Sequence, residues 1–143
     1  MTCSLFDDIV VETIIFGPHC PRPRSRIMSV RINELLEYVR GGRIMDAMKE
    51  FYAEDTVMTE PAYGDTVGLT ANLEREQAFV DSVKEFKNFE ARAVAVDGDT
   101  SVYENVMDWV GTDGSDYHVE QVVVARWNGE GKIIHERFYY NQA

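Results

Sequence analysis

The chain changes its hydrophobic period once. Between Ser29 and Lys87 apolar residues recur at helical spacing, and from Phe89 to Tyr140 they alternate at every second position, between turns that contain glycine. Helices first and hairpins afterwards is the order of an α+β domain, in which helices segregate to one face of an antiparallel sheet.

The first expected helix is Ser29–Arg40, with Ile32, Leu35, Leu36 and Val39 on one face and Gly41-Gly42 as its stop. The second is Arg43–Ala53, where Ile44, Met48, Phe51 and Tyr52 form an apolar stripe. A short strand, Thr56–Glu60, leads into a loop at 61–68 that is rich in breakers. The third helix is expected over Thr70–Lys87, with Phe79, Val80, Val83 and Phe86 inward and Glu74, Glu76, Asp81 and Glu85 toward water. Four strands follow at Phe89–Val96, Ser101–Val110, Tyr117–Trp127 and Lys132–Tyr140. Their turns, at Asp97-Gly98-Asp99, Asp113-Gly114 and Asn128–Gly131, suit an antiparallel meander. Three helices against one face of a curved sheet enclose a cone, a natural apolar pocket for a small molecule.

With 143 residues the chain forms one main domain, assigned here to 29–143. Residues 1–28 read as an extension or linker. Pro18, Pro21 and Pro23 alternate there with Arg22, Arg24 and Arg26, which suits an extended segment, and Asp8–Phe16 could add a strand. Glu12 interrupts the apolar run Ile9–Phe16, which is too short to span a bilayer and lacks the basic start of a signal peptide. The net charge of −11 opposes binding to nucleic acid or to an anionic membrane. The only cysteines are Cys3 and Cys20, and His19 beside Cys20 does not make a metal set, so a reduced, cytoplasmic protein without metal or cofactor is expected.

Three segments carry a family resemblance. They are Gly41-Gly42 followed by Phe51–Val57, then Glu60-Pro61 with Gly68 before the third helix, and Ala125–Ile133 with Tyr139-Tyr140-Asn141. In this order they resemble the nuclear-transport-factor-2-like (NTF2-like) superfamily, which includes SnoaL-like polyketide cyclases and ketosteroid isomerases. The resemblance implies a cystatin-like cone and a homodimer through the outer sheet face, where Val122, Val124, His135, Arg137 and Tyr139 would lie. Ketosteroid isomerases place their catalytic aspartate just before a proline, and Glu60 before Pro61 matches that position. Their oxyanion donors, a tyrosine and a protonated aspartate, align with Leu35 and Val123, which cannot donate. The Arg-x-Asp of related epoxide hydrolases does not occur in this sequence. His118 and His135 fall on the outward parity of their strands, unlike the pocket histidines of scytalone dehydratase-like enzymes.

Glu60 is therefore the first candidate base, since an apolar cone would raise its pKa into a useful range. The competing reading is a solvated carboxylate at a strand end. Glu136 shares the alternation of Ile134, Phe138 and Tyr140 and could pair with Glu60 as a second acid, or lie at a wet rim. Gln121 shares the parity of Val123 and could orient a ligand carbonyl or fill the sheet interior. Tyr38, Tyr63, Tyr103, Asn105 and Trp109 are candidate pocket residues, with Val123, Phe138 and Tyr140. Val102, Val106 and Val110 occupy the other parity of the strand 101–110, so periodicity leaves its facing open. Two functions remain: a cofactor-independent isomerase, cyclase or lyase acting on a small apolar molecule through Glu60, and a non-catalytic ligand-binding or dimerising module.

Overall fold

The computed structural model describes residues 23–141, with side chains from Arg26 onward. Its elements are α1 (Pro23–Arg40), α2 (Ile44–Phe51), β1 (Tyr52–Glu60), β2 (Gly64–Val67), α3 (Leu69–Ser82), β3 (Val83–Asp97), β4 (Thr100–Gly111), β5 (Asp116–Trp127) and β6 (Ile133–Tyr139). The expected α+β architecture is present: three helices and one six-stranded sheet in the order β2-β1-β6-β5-β4-β3. Strands β3 to β6 form the antiparallel meander, but β1 runs parallel to β6, so the sheet is mixed. No helix among the described residues is long and apolar enough to cross a membrane.

Four local expectations are corrected. The first helix starts at Pro23, so Pro23–Arg26 is helical rather than extended, and the 28/29 boundary lies inside α1. Proline is well suited to a first helical turn, whose N–H groups have no intrahelical acceptor, and the added turn carries Met28 into the core. Cys3, Asp8–Phe16, Pro18, His19, Cys20 and Pro21 lie outside the described residues. The second helix ends at Phe51, and Tyr52 begins β1. The stretch 61–68 contains β2, whose Val67 pairs with Val57 and whose Thr66 pairs with Met58. The third helix stops at Ser82; Val83 and Phe86 belong to β3, opposite Gly111 and Trp109 on β4. Val83 and Phe86 suit a pleated surface better than a helix end, and the ladder to β4 captures them.

The core forms where α1 and α2 cover the sheet. Ile32, Leu35, Leu36, Met48 and Phe51 pack with Met58, Tyr103, Val123, Ala125, Trp127 and Ile133. The indole N–H of Trp127 donates to Ser101 Oγ at 2.9 Å, so the largest buried ring keeps its one polar atom satisfied. Gly68, with φ of 89°, makes the sharp entry into α3 that a Cβ would strain. The first turn of α3 is then held by Asn72, whose Nδ2 donates to the carbonyls of Gly68 and Thr66 at 2.8 and 2.9 Å. That anchor sets the rotation of α3 over β1.

Candidate functional site

The parallel pairing of β1 with β6 builds the site. It sets Met58 beside Glu136, and Tyr52 beside Ile133, on the face that α3 covers. Glu136, for which alternation with Phe138 left an inward position or a wet rim open, is only 1% exposed. Its Oε2 accepts from the Tyr52 hydroxyl at 2.5 Å, and its Oε1 has no hydrogen-bond partner. Burial raises the Glu136 pKa to about 8; the charges of Glu76 and Glu60 add to this, while the Tyr52 hydrogen bond and Arg75 oppose it. The neutral acid is then the major form at pH 7.

Arg75 on α3 is the cation of the site. Its Nη2 lies 3.0 Å from Glu60 Oε1 and 3.5 Å from Glu76 Oε1, and contacts Met58 Sδ at 3.7 Å. Its Nη1 donates to Thr66 Oγ1 at 2.8 Å. Glu60 is engaged at both oxygens, because Tyr140 donates to its Oε2 at 3.0 Å. The Tyr140 pKa is pushed to about 12 by burial, by the Glu60 charge and by that hydrogen bond. Burial first, then the Glu60 charge, lifts Glu76 to about 7 against the pull of Arg75. Tyr52 and Tyr103 are held well above the usual phenol range, by burial first and by the Glu136 charge second. Two carboxyl groups, Glu60 and Glu76, thus contact one guanidinium, and Glu136 feels its charge without a direct bond. Among the described residues no group of three or more His, Cys, Asp or Glu side chains could hold a metal ion.

The structure brings together Glu60, Glu136 and Tyr140 from the sequence-derived set, and adds Tyr52, Arg75 and Glu76. Glu76 is corrected: it does not face water, since its side chain is 16% exposed. The signal was present in the spacing. Asn72, Arg75 and Glu76 precede Phe79 by seven, four and three positions, which continues the inward stripe of α3. The hydroxyl of Tyr52 was hidden by reading that residue only as an apolar helix position.

Other members of the set lie elsewhere. Strand β4 turns Ser101, Tyr103 and Asn105 inward, which settles its facing. Asn105 sits opposite Gln121 and accepts from its Nε2 at 3.3 Å. Val123 is fully buried, and Phe138 packs against the core. Tyr38 makes an edge contact with Phe51 at 5.4 Å under the Arg43 guanidinium. Trp109 stacks on Tyr117 at 5.1 Å and meets the edge of Phe79. Tyr63 is not part of the enclosed group; it is 70% exposed in the turn after Glu60, 5.9 Å from the Arg75 guanidinium. His118 is exposed, and His135 bonds Thr59 Oγ1, away from Glu136. A shallow depression of about 400 Å³ lies on α1, lined by Ser29, Val30, Asn33, Glu34 and Glu37, away from the carboxyl cluster.

This arrangement, a helix-capped mixed sheet with a polar cluster between α3, β1 and β6, is that of the NTF2-like class. The sequence profile of the SnoaL-like domain matches residues 32–136, and the chain belongs to that family. No curated protein matches the chain in sequence. Among solved structures it is similar to a candidate SnoaL-like polyketide cyclase of Mesorhizobium loti, at 20% identity and a TM-score of 0.70, covering 79% of this chain and 98% of the other. A second candidate SnoaL-like polyketide cyclase, from Jannaschia sp. CCS1, is 13% identical with a TM-score of 0.73 over 87% of this chain and 92% of its own. The epoxide hydrolase/cyclase-like enzyme SalBIII, which acts in pyran ring formation in the polyether salinomycin, is 18% identical with a TM-score of 0.69, over 82% of this chain and 92% of its own. At these identities the likeness is one of fold.

Proposed function

We propose that the chain is a cofactor-independent isomerase, cyclase or lyase that moves a proton on a small hydrophobic molecule held between the helices and the sheet. The observation that carries this reading is Glu136: buried, bonded to Tyr52 through one oxygen and unpartnered at the other. A carboxyl that exchanges its proton near neutral pH is matched to general acid–base work. Glu60, the base suggested by the Glu-Pro position, is tied at both oxygens by Arg75 and Tyr140. Its role becomes that of the ion-paired neighbour, with Glu136 as the proton carrier. The test is exchange of α-protons of 1-tetralone into heavy water. The wild type should accelerate exchange, and Glu136→Gln should reduce it by about a hundredfold or more. Exchange that survives Glu136→Gln, or an inactive wild type, defeats the reading.

A second reading, a non-catalytic ligand-binding module, is favoured by Leu35 and Val123, the buried apolar residues at the positions of the isomerase oxyanion donors. In that case 1-tetralone binds without exchange. Exposed Val122 and Tyr139, register partners on the outer sheet face, support a homodimer through that face, and a monomer by sedimentation at micromolar concentration would remove that proposal. The net charge of −11 supports a partner that is neither nucleic acid nor membrane, and the two cysteines support a reducing, cytoplasmic setting.

A further inference from the structure

A second polar group sits inside the domain, on a different part of the sheet. Asn105 is fully buried on the inner face of β4, and its Nδ2 has no hydrogen-bond partner. Its Oδ1 accepts from Gln121 on the neighbouring strand, so the amide is oriented with its donor side free. The same face is otherwise apolar around it: Tyr103 and Met107 flank Asn105 along β4, and Val119 and Val123 flank Gln121 along β5. On its other side the register partner is Ala91, whose single methyl leaves the amide uncrowded from β3. An asparagine kept only to fill space would have its donors satisfied, because a buried N–H left unpaired forfeits the hydrogen bonds it made to water.

We propose that Asn105 is the contact for an oxygen acceptor, a carbonyl or ether, of an elongated apolar ligand, with Gln121 as the residue that positions it. The inference rests on the reading that a ligand enters between helices and sheet, and deepens it by fixing the ligand's shape. Asn105 is level with Gln121, and Glu136 is level with Ala125, four residues away on β5, or about 13 Å along the strand. The two lie on opposite neighbours of β5, about 10 Å apart across the sheet. One carbonyl cannot meet both groups. The ligand therefore has two ends: a reacting end at the carboxyl cluster and an acceptor oxygen at Asn105, separated by an apolar body of two or more rings.

The test uses the two-ring fluorescent ketone 6-propionyl-2-(dimethylamino)naphthalene, whose emission moves to longer wavelength when its carbonyl accepts a hydrogen bond. Its acyl-free analogue, 2-(dimethylamino)naphthalene, is the control. The wild type should bind the ketone more tightly than the control. Asn105→Leu should weaken the ketone by about fivefold, the effect of one net hydrogen bond, shift its bound emission to shorter wavelength and leave the control unchanged. Gln121→Met keeps the donor and removes only its orienting partner, so it should shift the bound emission in the same direction by less; it also serves if the leucine variant does not fold. Unchanged ketone affinity and emission in the variants, or no binding by the wild type, overturns the subsite. Glu136→Gln separates the two readings: it should abolish proton exchange while leaving the bound emission of the ketone where it was.

Discussion

Two charged networks of similar make-up sit on this domain, and solvent makes them different objects. On the outer face, His118 Nδ1 lies 2.6 Å from Asp108 Oδ1, with Glu120 and Arg92 alongside. There Asp108 is lowered and His118 is raised, each chiefly by their mutual hydrogen bond. Each shift favours the charged form, and water screens what remains. Inside, Glu60, Glu76 and Glu136 face one guanidinium, and burial drives two of the three carboxyl groups upward instead. Carboxyl groups that stay in the ordinary range or below it when exposed are raised toward neutral pH when α3 covers them.

The largest expected effect is at the shared cation. Arg75→Met should destabilise the fold by about 3–5 kcal/mol, since it leaves Glu60 and Glu76 without their ion-pair partner. The loss, measured by urea denaturation, should be greater at pH 9 than at pH 5, where Glu76 and Glu136 are neutral. Equal losses at both pH values would dissolve the contrast between the networks.

The next test is the pH dependence of stability. Glu76 and Glu136 are raised from near 4.5 to about 7 and about 8 in the folded chain. Below about pH 4.5 both the folded and unfolded states hold these protons, and the contribution to stability is fully present. As pH rises from there the unfolded chain releases protons that the folded chain retains. Stability should therefore drain away until pH passes about 8, each group losing on the order of 1.4 kcal/mol for every tenfold difference in proton affinity between the folded and unfolded chain. Glu136→Gln should flatten the slope between pH 5 and 8 in thermal melts, and an unaltered slope would count against the assignment.

Tyr52→Phe should cost about 1–3 kcal/mol by leaving Glu136 Oε2 unpaired, and should move the Glu136 titration further upward, because the lost hydrogen bond lowered it. Infrared absorption of the buried protonated carboxyl reads that change. His118→Ala is the smallest change: the urea midpoint should not move measurably, and only the titration of Asp108 should return toward its ordinary value, as followed by NMR.

The fold was legible because its evidence is periodic and local. The switch from helical spacing to alternation at Val83–Phe89 survives an error of several residues in the boundary, and the glycine turns fixed the hairpins. The pairing of Thr59 with Arg137 was not legible, since nothing in either segment names a partner nearly eighty positions away. β2 escaped because Gly64 and Asp65 are poor strand formers, and its four residues gain their order from β1 and from the bonds of Asn72 and Arg75 to Thr66. At the site, Glu136 followed from alternation, and Tyr140 came with it. Arg75 and Glu76 were missed for an energetic reason. Charged residues on a helix default to water, and only their neighbours in three dimensions reveal that these two do not.

The parallel contact between β1 and β6 also sets an order of events in synthesis. β1 emerges early, carrying Tyr52, Met58 and Glu60, yet one of its two edges stays open until β6 has been made. Until then the nascent chain holds a helical hairpin, a bare strand edge and a glutamate that has no Tyr140 to bond. The buried carboxyl cluster is thus a late product of folding, completed when the last strand slots between β1 and β5. A chain that stalls before Ile133 exposes an unpaired strand edge to its neighbours and lacks Glu136 and Tyr140, two of the cluster's members.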